Sequence, residues 1–270
     1  MITNESYTLN FSERLRCYFE LLKLRLSFLV AFSCGFGYIL GSNGQIDWFH
    51  FTMICFGGFL ISGAAITVNQ IIEKDLDMLM TRTMNRPLPT GKISVNEAII
   101  FSFIVAATGI TVLIMTTNML TVLLSLLSMV LYSFVYTPLK RVGPIAVFVG
   151  AIPGALPPLL GWTAATGVIS LEALIIFGIQ FIWQFPHFWA IAWVADEDYK
   201  KAGFKLLPSG GKKDLNTALQ IMIYTLFLIP VGLLPAKFGI TGIDSAIVVT
   251  ICGVLFLSQT FALMKNGPRK

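Results

Sequence analysis

The chain has 270 residues, 56% of them hydrophobic and 12% charged, with a formal net charge of +5. A soluble domain carries roughly 25% charged residues, whereas here apolar runs of about 20 residues, the length needed to cross a bilayer core, recur along nearly the whole chain. These figures exclude a soluble globular protein and leave an all-α, polytopic membrane protein.

Met1 to Asn10 is polar and lacks the basic and apolar regions of a cleavable signal. Phe11 to Leu24 interleaves Glu13, Arg14, Arg16, Glu20 and Lys23 with Leu and Phe at helical spacing. That pattern predicts an amphipathic interfacial helix. Eight spans are then predicted, at about residues 25–42, 49–71, 96–116, 119–137, 143–165, 171–194, 215–236 and 243–264. The chain so divides into an N-terminal segment (1–24), a transmembrane domain (25–264) and a tail (265–270). The four cysteines (Cys17, Cys34, Cys55, Cys252) are scattered without metal or disulfide spacing, and read as small buried hydrophobes.

With eight spans, 18 of the 19 Lys and Arg residues fall on one side, leaving Lys237 alone on the other. The positive-inside rule predicts that this side is cytoplasmic, with both termini there, in the inner (plasma) membrane. The asymmetry accounts for the net positive charge, so no nucleic-acid partner is required; the lipid bilayer is the partner.

The second span ends in Asn69-Gln70-Ile71-Ile72-Glu73-Lys74-Asp75-Leu76-Asp77. On a helix Asn69, Glu73 and Asp77 form one stripe with about 6 Å per step, offering amide and carboxylate oxygens, a hard set suited to Mg2+. The plainer reading of this stretch alone is a solvated helix end. A second acidic cluster, Asp196, Glu197 and Asp198, follows the sixth span and is succeeded by Tyr199, Lys200 and Lys201. Carboxylates beside cations at a membrane mouth can hold Mg2+ bridged to a diphosphate, whose departure leaves an allylic cation. The apolar tail would lie among the spans. Such chemistry belongs to an intramembrane prenyltransferase.

The chain resembles the UbiA superfamily of intramembrane prenyltransferases, and within it the farnesyltransferases that act on protohaem IX. The stripe is similar to the family's N-x-x-x-D-x-x-x-D motif, with Glu73 in place of the middle Asp. The remaining marks are Arg82-Thr83-Met84-Asn85-Arg86-Pro87-Leu88, Tyr136-Thr137 before Lys140, and Gly150 to Trp162 with Pro157-Pro158-Leu159. Trp183-Gln184-Phe185-Pro186-His187-Phe188-Trp189, Asp198-Tyr199-Lys200-Lys201-Ala202-Gly203 and Leu207-Pro208 complete the set. The likeness runs from about Leu24 to the last span.

It implies a UbiA-like helical bundle with a central cavity open to the cytoplasmic side. The implied reaction is farnesyl transfer from farnesyl diphosphate to a vinyl group of haem B, with water addition, giving haem O. Further implied are Asn69, Glu73, Asp77, Asp198 and Asp196 as Mg2+ ligands, and Arg82, Arg86, Lys92, Lys140, Tyr199 and Lys200 around the diphosphate. Trp183, Pro186, His187 and Phe188 are placed at the haem or prenyl pocket, with Pro186 expected to break its helix. A haem A synthase would act downstream. His187 reads equally as a packed histidine or as an axial or acid-base group, and Lys140 equally as a topology anchor or a diphosphate contact; Arg82 and Arg86 could also anchor topology, but their position directly after the stripe favours phosphate clamping. Two departures stand out: Val194 occupies the first position of the family's second motif, D-x-x-x-D, and eight spans are present where the family usually has nine. A ninth span is then either dispensable or lost by truncation. Competing readings are an aromatic or chlorin acceptor, a secondary transporter and a non-catalytic haem-binding assembly protein. A transporter would usually keep its charges nearer the midplane.

Overall fold

A computed structural model describes residues 10–265, and every regular element among them is helical. The N-terminal ten residues bar Asn10, and the tail beyond Lys265, lie outside the described residues. In chain order the helices are α1 (Phe11–Leu22), α2 (Leu24–Gly41), α3 (Trp48–Ile72), α4 (Lys74–Asp77), α5 (Val95–Thr116) and α6 (Met119–Val130). A π-helical turn, Leu131–Tyr136, runs on from α6 into α7 (Thr137–Leu139). Then come α8 (Ile145–Thr166), α9 (Leu171–Val194), α10 (Asp196–Lys201), α11 (Leu215–Gly232), α12 (Leu234–Lys237) and α13 (Ile243–Lys265).

Among the described residues, eight spans long and apolar enough to cross a membrane lie within a few residues of their expected positions. The protein is a multi-pass membrane protein. Five of these spans, α3, α5, α6, α9 and α11, are capped at the N-terminus by short polar side chains that satisfy first-turn N–H groups. Asp47 accepts from Phe49 and His50, Asn118 from Thr121, Ser170 from Ala173 and Asp214 from Thr217. Ser94 and Glu97 form a reciprocal capping box on α5. Large apolar side chains such as Phe28, Phe32, Phe103 and Ile104 face outward, as a bilayer requires of a bundle's lipid face.

Packing places α8 at the centre, where it is the most buried of the spans and touches α2, α6 and α9. Its crossing with α2 is so close that a Cβ on Gly161 would stand 1.8 Å from the Cys34 carbonyl oxygen. Small residues permit such backbone approach between membrane helices. Three prolines lie inside α8, yet it continues unbroken. Pro158 removes the N–H that would have served the Gly154 carbonyl; Gln184 Nε2 on α9 donates to that oxygen instead, at 3.1 Å. Pro186 likewise sits within α9 without ending it, so the expected helix break there does not occur. A membrane helix tolerates the loss of one such bond when its neighbours hold the segment, and Phe185 and Trp189 flanking Pro186 are buried in the largest core cluster.

The helix α1 is docked rather than only interfacial. Cys17 and Leu21 are buried against Leu88, Ile93 and Ala98, under the loop that joins α4 to α5. Arg14 pairs with Glu97 across that contact. The end of α1 also meets the end of α3, where Gln70 Nε2 donates to the Leu21 carbonyl at 2.7 Å.

Candidate functional site at the charged end of the bundle

The stripe lies in a buried position, but not on one uninterrupted helix. The helix α3 ends at Ile72, Glu73 adopts φ −92° and ψ 6°, and α4 resumes at Lys74. Helical register survives the bend, because the Glu73 N–H reaches the Asn69 carbonyl at 2.9 Å and the Asp77 N–H reaches that of Glu73 at 2.8 Å. Asn69, Glu73 and Asp77 are therefore all buried, whereas Asp75 faces out.

Each stripe residue has an engaged side and a vacant valence. Asn69 Nδ2 donates to Thr137 Oγ1 at 2.9 Å, leaving its carbonyl oxygen free of that bond. Asp77 Oδ2 accepts from Arg86 at 2.6 Å, while Oδ1 is buried without a hydrogen-bond partner among the described residues. Lys140 Nζ stands 2.9 Å from Glu73 Oε1 and 3.1 Å from Oε2, but only the Oε2 approach has hydrogen-bond direction. Buried unsatisfied carboxylate oxygens are costly and call for a cation or donor. Asp77 Oδ1 is such an atom; with the Glu73 carboxylate, which already faces the Lys140 ammonium, and the Asn69 amide oxygen it makes a donor set of the kind that fits Mg2+.

The cations gather around these carboxylates. Lys140 Nζ also lies 4.8 Å from the Tyr136 ring centroid and 5.7 Å from that of Phe204. Burial would lower its pKa, but the Glu73 carboxylate outweighs that and holds it raised. The π-turn brings it here: Thr137 accepts from Asn69 and donates to the Tyr132 carbonyl at 2.9 Å, tying α3 to the widened turn just before Pro138. A cavity of about 850 Å³ opens beside the stripe, lined by Asn69, Gln70, Arg82, Arg86 and Tyr132, and by Lys23 and Arg25 from the α1–α2 junction. Its remaining wall includes the apolar Leu15, Phe19, Leu24, Leu26, Leu29 and Ile66.

Lys23, Gln70 and Tyr132 escape the sequence-based site. Lys23 holds the left-handed conformation (φ +49°) between α1 and α2, which is uncommon for a residue with a Cβ. Burial first, and the nearby Arg86 next, lower its pKa. Its charge had been accounted for by topology alone.

Other expected site residues are arranged differently. Asp198 accepts from the backbone N–H groups of Thr81 and Arg82, each at 3.1 Å, and from Lys201 at 3.1 Å. Asp196 pairs with Lys200 at 2.8 Å on the exposed side of α10. Lys92 is exposed near Cys17, away from the cavity lining. Tyr199 stacks edge-on against Phe204, with the Arg82 guanidinium 6.0 Å from its ring centroid. His187 stacks on Trp183 with centroids 4.3 Å apart, and its ring has no hydrogen-bond partner among the described residues. Its neighbour Phe188 meets Tyr136 at 5.7 Å, which links α9 to the stripe through Lys140.

This architecture is that of a helical membrane bundle with an acid-and-base mouth, and its sequence matches the UbiA prenyltransferase family over residues 30–270. The chain belongs to that family. Among its relatives is a protoheme IX farnesyltransferase of Cytophaga hutchinsonii, 53% identical over 94% of this chain and 89% of the relative. Another, of Flavobacterium psychrophilum and the same name, is 48% identical over 93% of this chain and 85% of its own length. A mitochondrial protoheme IX farnesyltransferase of Arabidopsis thaliana is 41% identical over 93% of this chain and 58% of its own. Among solved structures, a digeranylgeranylglyceryl phosphate synthase superposes with TM-score 0.75, at 23% identity over 94% of this chain and 88% of that one. A UbiA homolog from Archaeoglobus fulgidus, bound to DMAPP and Mg2+, superposes with TM-score 0.59 at 20% identity, over 92% of this chain and 99% of that one.

Proposed function

We propose that this chain transfers a farnesyl group from farnesyl diphosphate to a vinyl group of haem B, giving haem O and diphosphate, as a step in making the haem of cytochrome oxidase. The observation that carries this reading is the buried stripe, in which Asp77 Oδ1 lacks a hydrogen-bond partner among the described residues and Glu73 is held by Lys140, beside a cavity lined with cations and apolar side chains. Relatives named protoheme IX farnesyltransferase, at up to 53% identity over most of the chain, support the same donor and acceptor.

Asn69, Glu73 and Asp77 would hold Mg2+, which when bound offsets the charge of the diphosphate. Arg82, Arg86 and Lys140 take up the rest of that charge through hydrogen bonds that strengthen as the diphosphate leaves. The farnesyl C1–oxygen bond breaks with its electron pair going to the diphosphate. The allylic cation adds to the terminal vinyl carbon of haem B. Water then joins the resulting carbocation on the porphyrin side and loses a proton. Tyr132, on the cavity wall, keeps bulk water from the first cation, and its ring stabilises it by cation–π attraction. His187, its ring without a hydrogen-bond partner among the described residues, serves the acceptor side as haem ligand or proton acceptor. The bundle sits in the plasma membrane with this mouth and both termini toward the cytoplasm, as its basic loops favour.

The test is mass analysis of haem extracted after purified protein in lipid receives haem B, farnesyl diphosphate and Mg2+. A haem heavier by a hydroxyethylfarnesyl group is expected. It should disappear on chelation and fall by about 10³-fold in rate for Asp77→Ala, the scale of losing one electrostatic partner of a transition state. Unmodified haem from the native protein would sink the reading.

A further inference from the structure

We propose that Asp198 is a positioning residue: it clasps α10 to the loop after α4 and so sets Arg82 at the cavity, in place of ligating metal. The inference rests on the reading above insofar as Arg82 is taken to meet diphosphate.

Three donors converge on this one carboxylate. Oδ1 accepts from the Thr81 N–H and from Lys201 Nζ, and Oδ2 accepts from the Arg82 N–H, all at 3.1 Å. A carboxylate offers about four acceptor sites, so most of its capacity is committed to protein. Lys201 Nζ also donates to Thr81 Oγ1 at 3.1 Å, so the ammonium binds the same two elements a second time. Consecutive backbone N–H groups gripping the two oxygens of one carboxylate fix the backbone at Thr81 and Arg82 closely. The Arg82 side chain leaves that fixed point toward Tyr199 and the cavity.

The surroundings of Asp198 supply no complementary ligands. Val194, one helical turn before it, is 86% exposed and turned away. Asp196 is engaged with Lys200. Among the described residues no three His, Cys, Asp or Glu side chains come together as a metal cluster, so Asp198 does not converge with Glu73 and Asp77.

The test uses the full-length protein in lipid nanodiscs. Amide exchange at Thr81 and Arg82 is measured first in metal-free protein. Both amides should be protected in the native chain and exposed in Asp198→Ala, with partial protection in Asp198→Asn, which keeps one acceptor oxygen. Mn2+ binding is then followed by electron paramagnetic resonance in the presence of unreactive farnesyl thiodiphosphate. Asp198→Ala should keep its Mn2+ affinity, while affinity for the thiodiphosphate falls about tenfold, as it does in Arg82→Ala; the double variant should lose little more, since both remove one contact. Loss of Mn2+ in Asp198→Ala with the two amides still protected would overturn the proposal and make Asp198 a ligand. Failure of Asp77→Ala to lose Mn2+ would refute the underlying metal site, while the exchange measurement still judges the clasp on its own.

Discussion

Glu73 and Lys140 meet where neither could sit alone, with side chains 5% and 12% exposed. A buried charge stripped of its partner costs about 3–5 kcal/mol, whereas replacing both partners together is often close to neutral. Lys140→Ala should therefore destabilise the protein by that amount, read as thermal unfolding in detergent. Glu73→Gln combined with Lys140→Met should recover most of the loss while remaining inactive. Asp198 gives a pH counterpart. Hydrogen bonding from the Arg82 N–H, then from Lys201, holds its pKa down at about 2, below the ordinary 3.8. A depressed carboxylate contributes stability above its unfolded value and loses it as pH falls through the folded one. Protection of the Thr81 and Arg82 amides should thus persist at pH 4 and above and fade as pH approaches about 2. The stripe was legible because its spacing is a property of one helix. Lys23 was not, because a lysine at a membrane boundary looks the same whether it anchors the helix or turns into a cavity.

At the scale of elements, the proline-rich spans show why a local rule fell short. Pro186 predicts a broken helix from its own neighbourhood, yet α9 passes through it. Pro158 frees the carbonyl of Gly154, and the group that answers it is Gln184, 30 residues away. No pattern within either span encodes that pairing; it exists only once α8 and α9 are adjacent. Gln184→Leu should leave a buried carbonyl unpaired and cost about 1–3 kcal/mol, seen as a lower unfolding temperature. Gly154→Ala should cost about as much, because its Cβ would stand 2.7 Å from Gln184 Cδ and push the amide off the same bond. The break at Glu73 is the converse case. The sequence shows an unbroken stripe, and the structure bends it without losing register, so all three side chains remain buried.

For the whole molecule, the proposed orientation rests on the distribution of charge. Lys74, Arg82, Arg86, Lys92, Lys140 and Arg141 sit at the end that carries the stripe, with the loop between α9 and α11 adding Lys200, Lys201, Lys205, Lys212 and Lys213. The other end keeps Lys237, together with Asp47, His50 and Glu172. Short connections rich in Lys and Arg are retained on the cytoplasmic side of a membrane, and the proposed orientation places these loops there. The donor's diphosphate, a polyanion, would then reach the site from the cytoplasm without crossing hydrocarbon. The check uses single-cysteine variants on a background with all four native cysteines replaced by serine, probed in intact cells with a membrane-impermeant maleimide. Asn43→Cys, at the α2–α3 turn, should label from outside. Lys92→Cys, exposed after Gly91, should label only after the membrane is opened. Labelling of Lys92→Cys in intact cells would invert the bundle and place the mouth outside, where a cytoplasmic diphosphate substrate could not enter it.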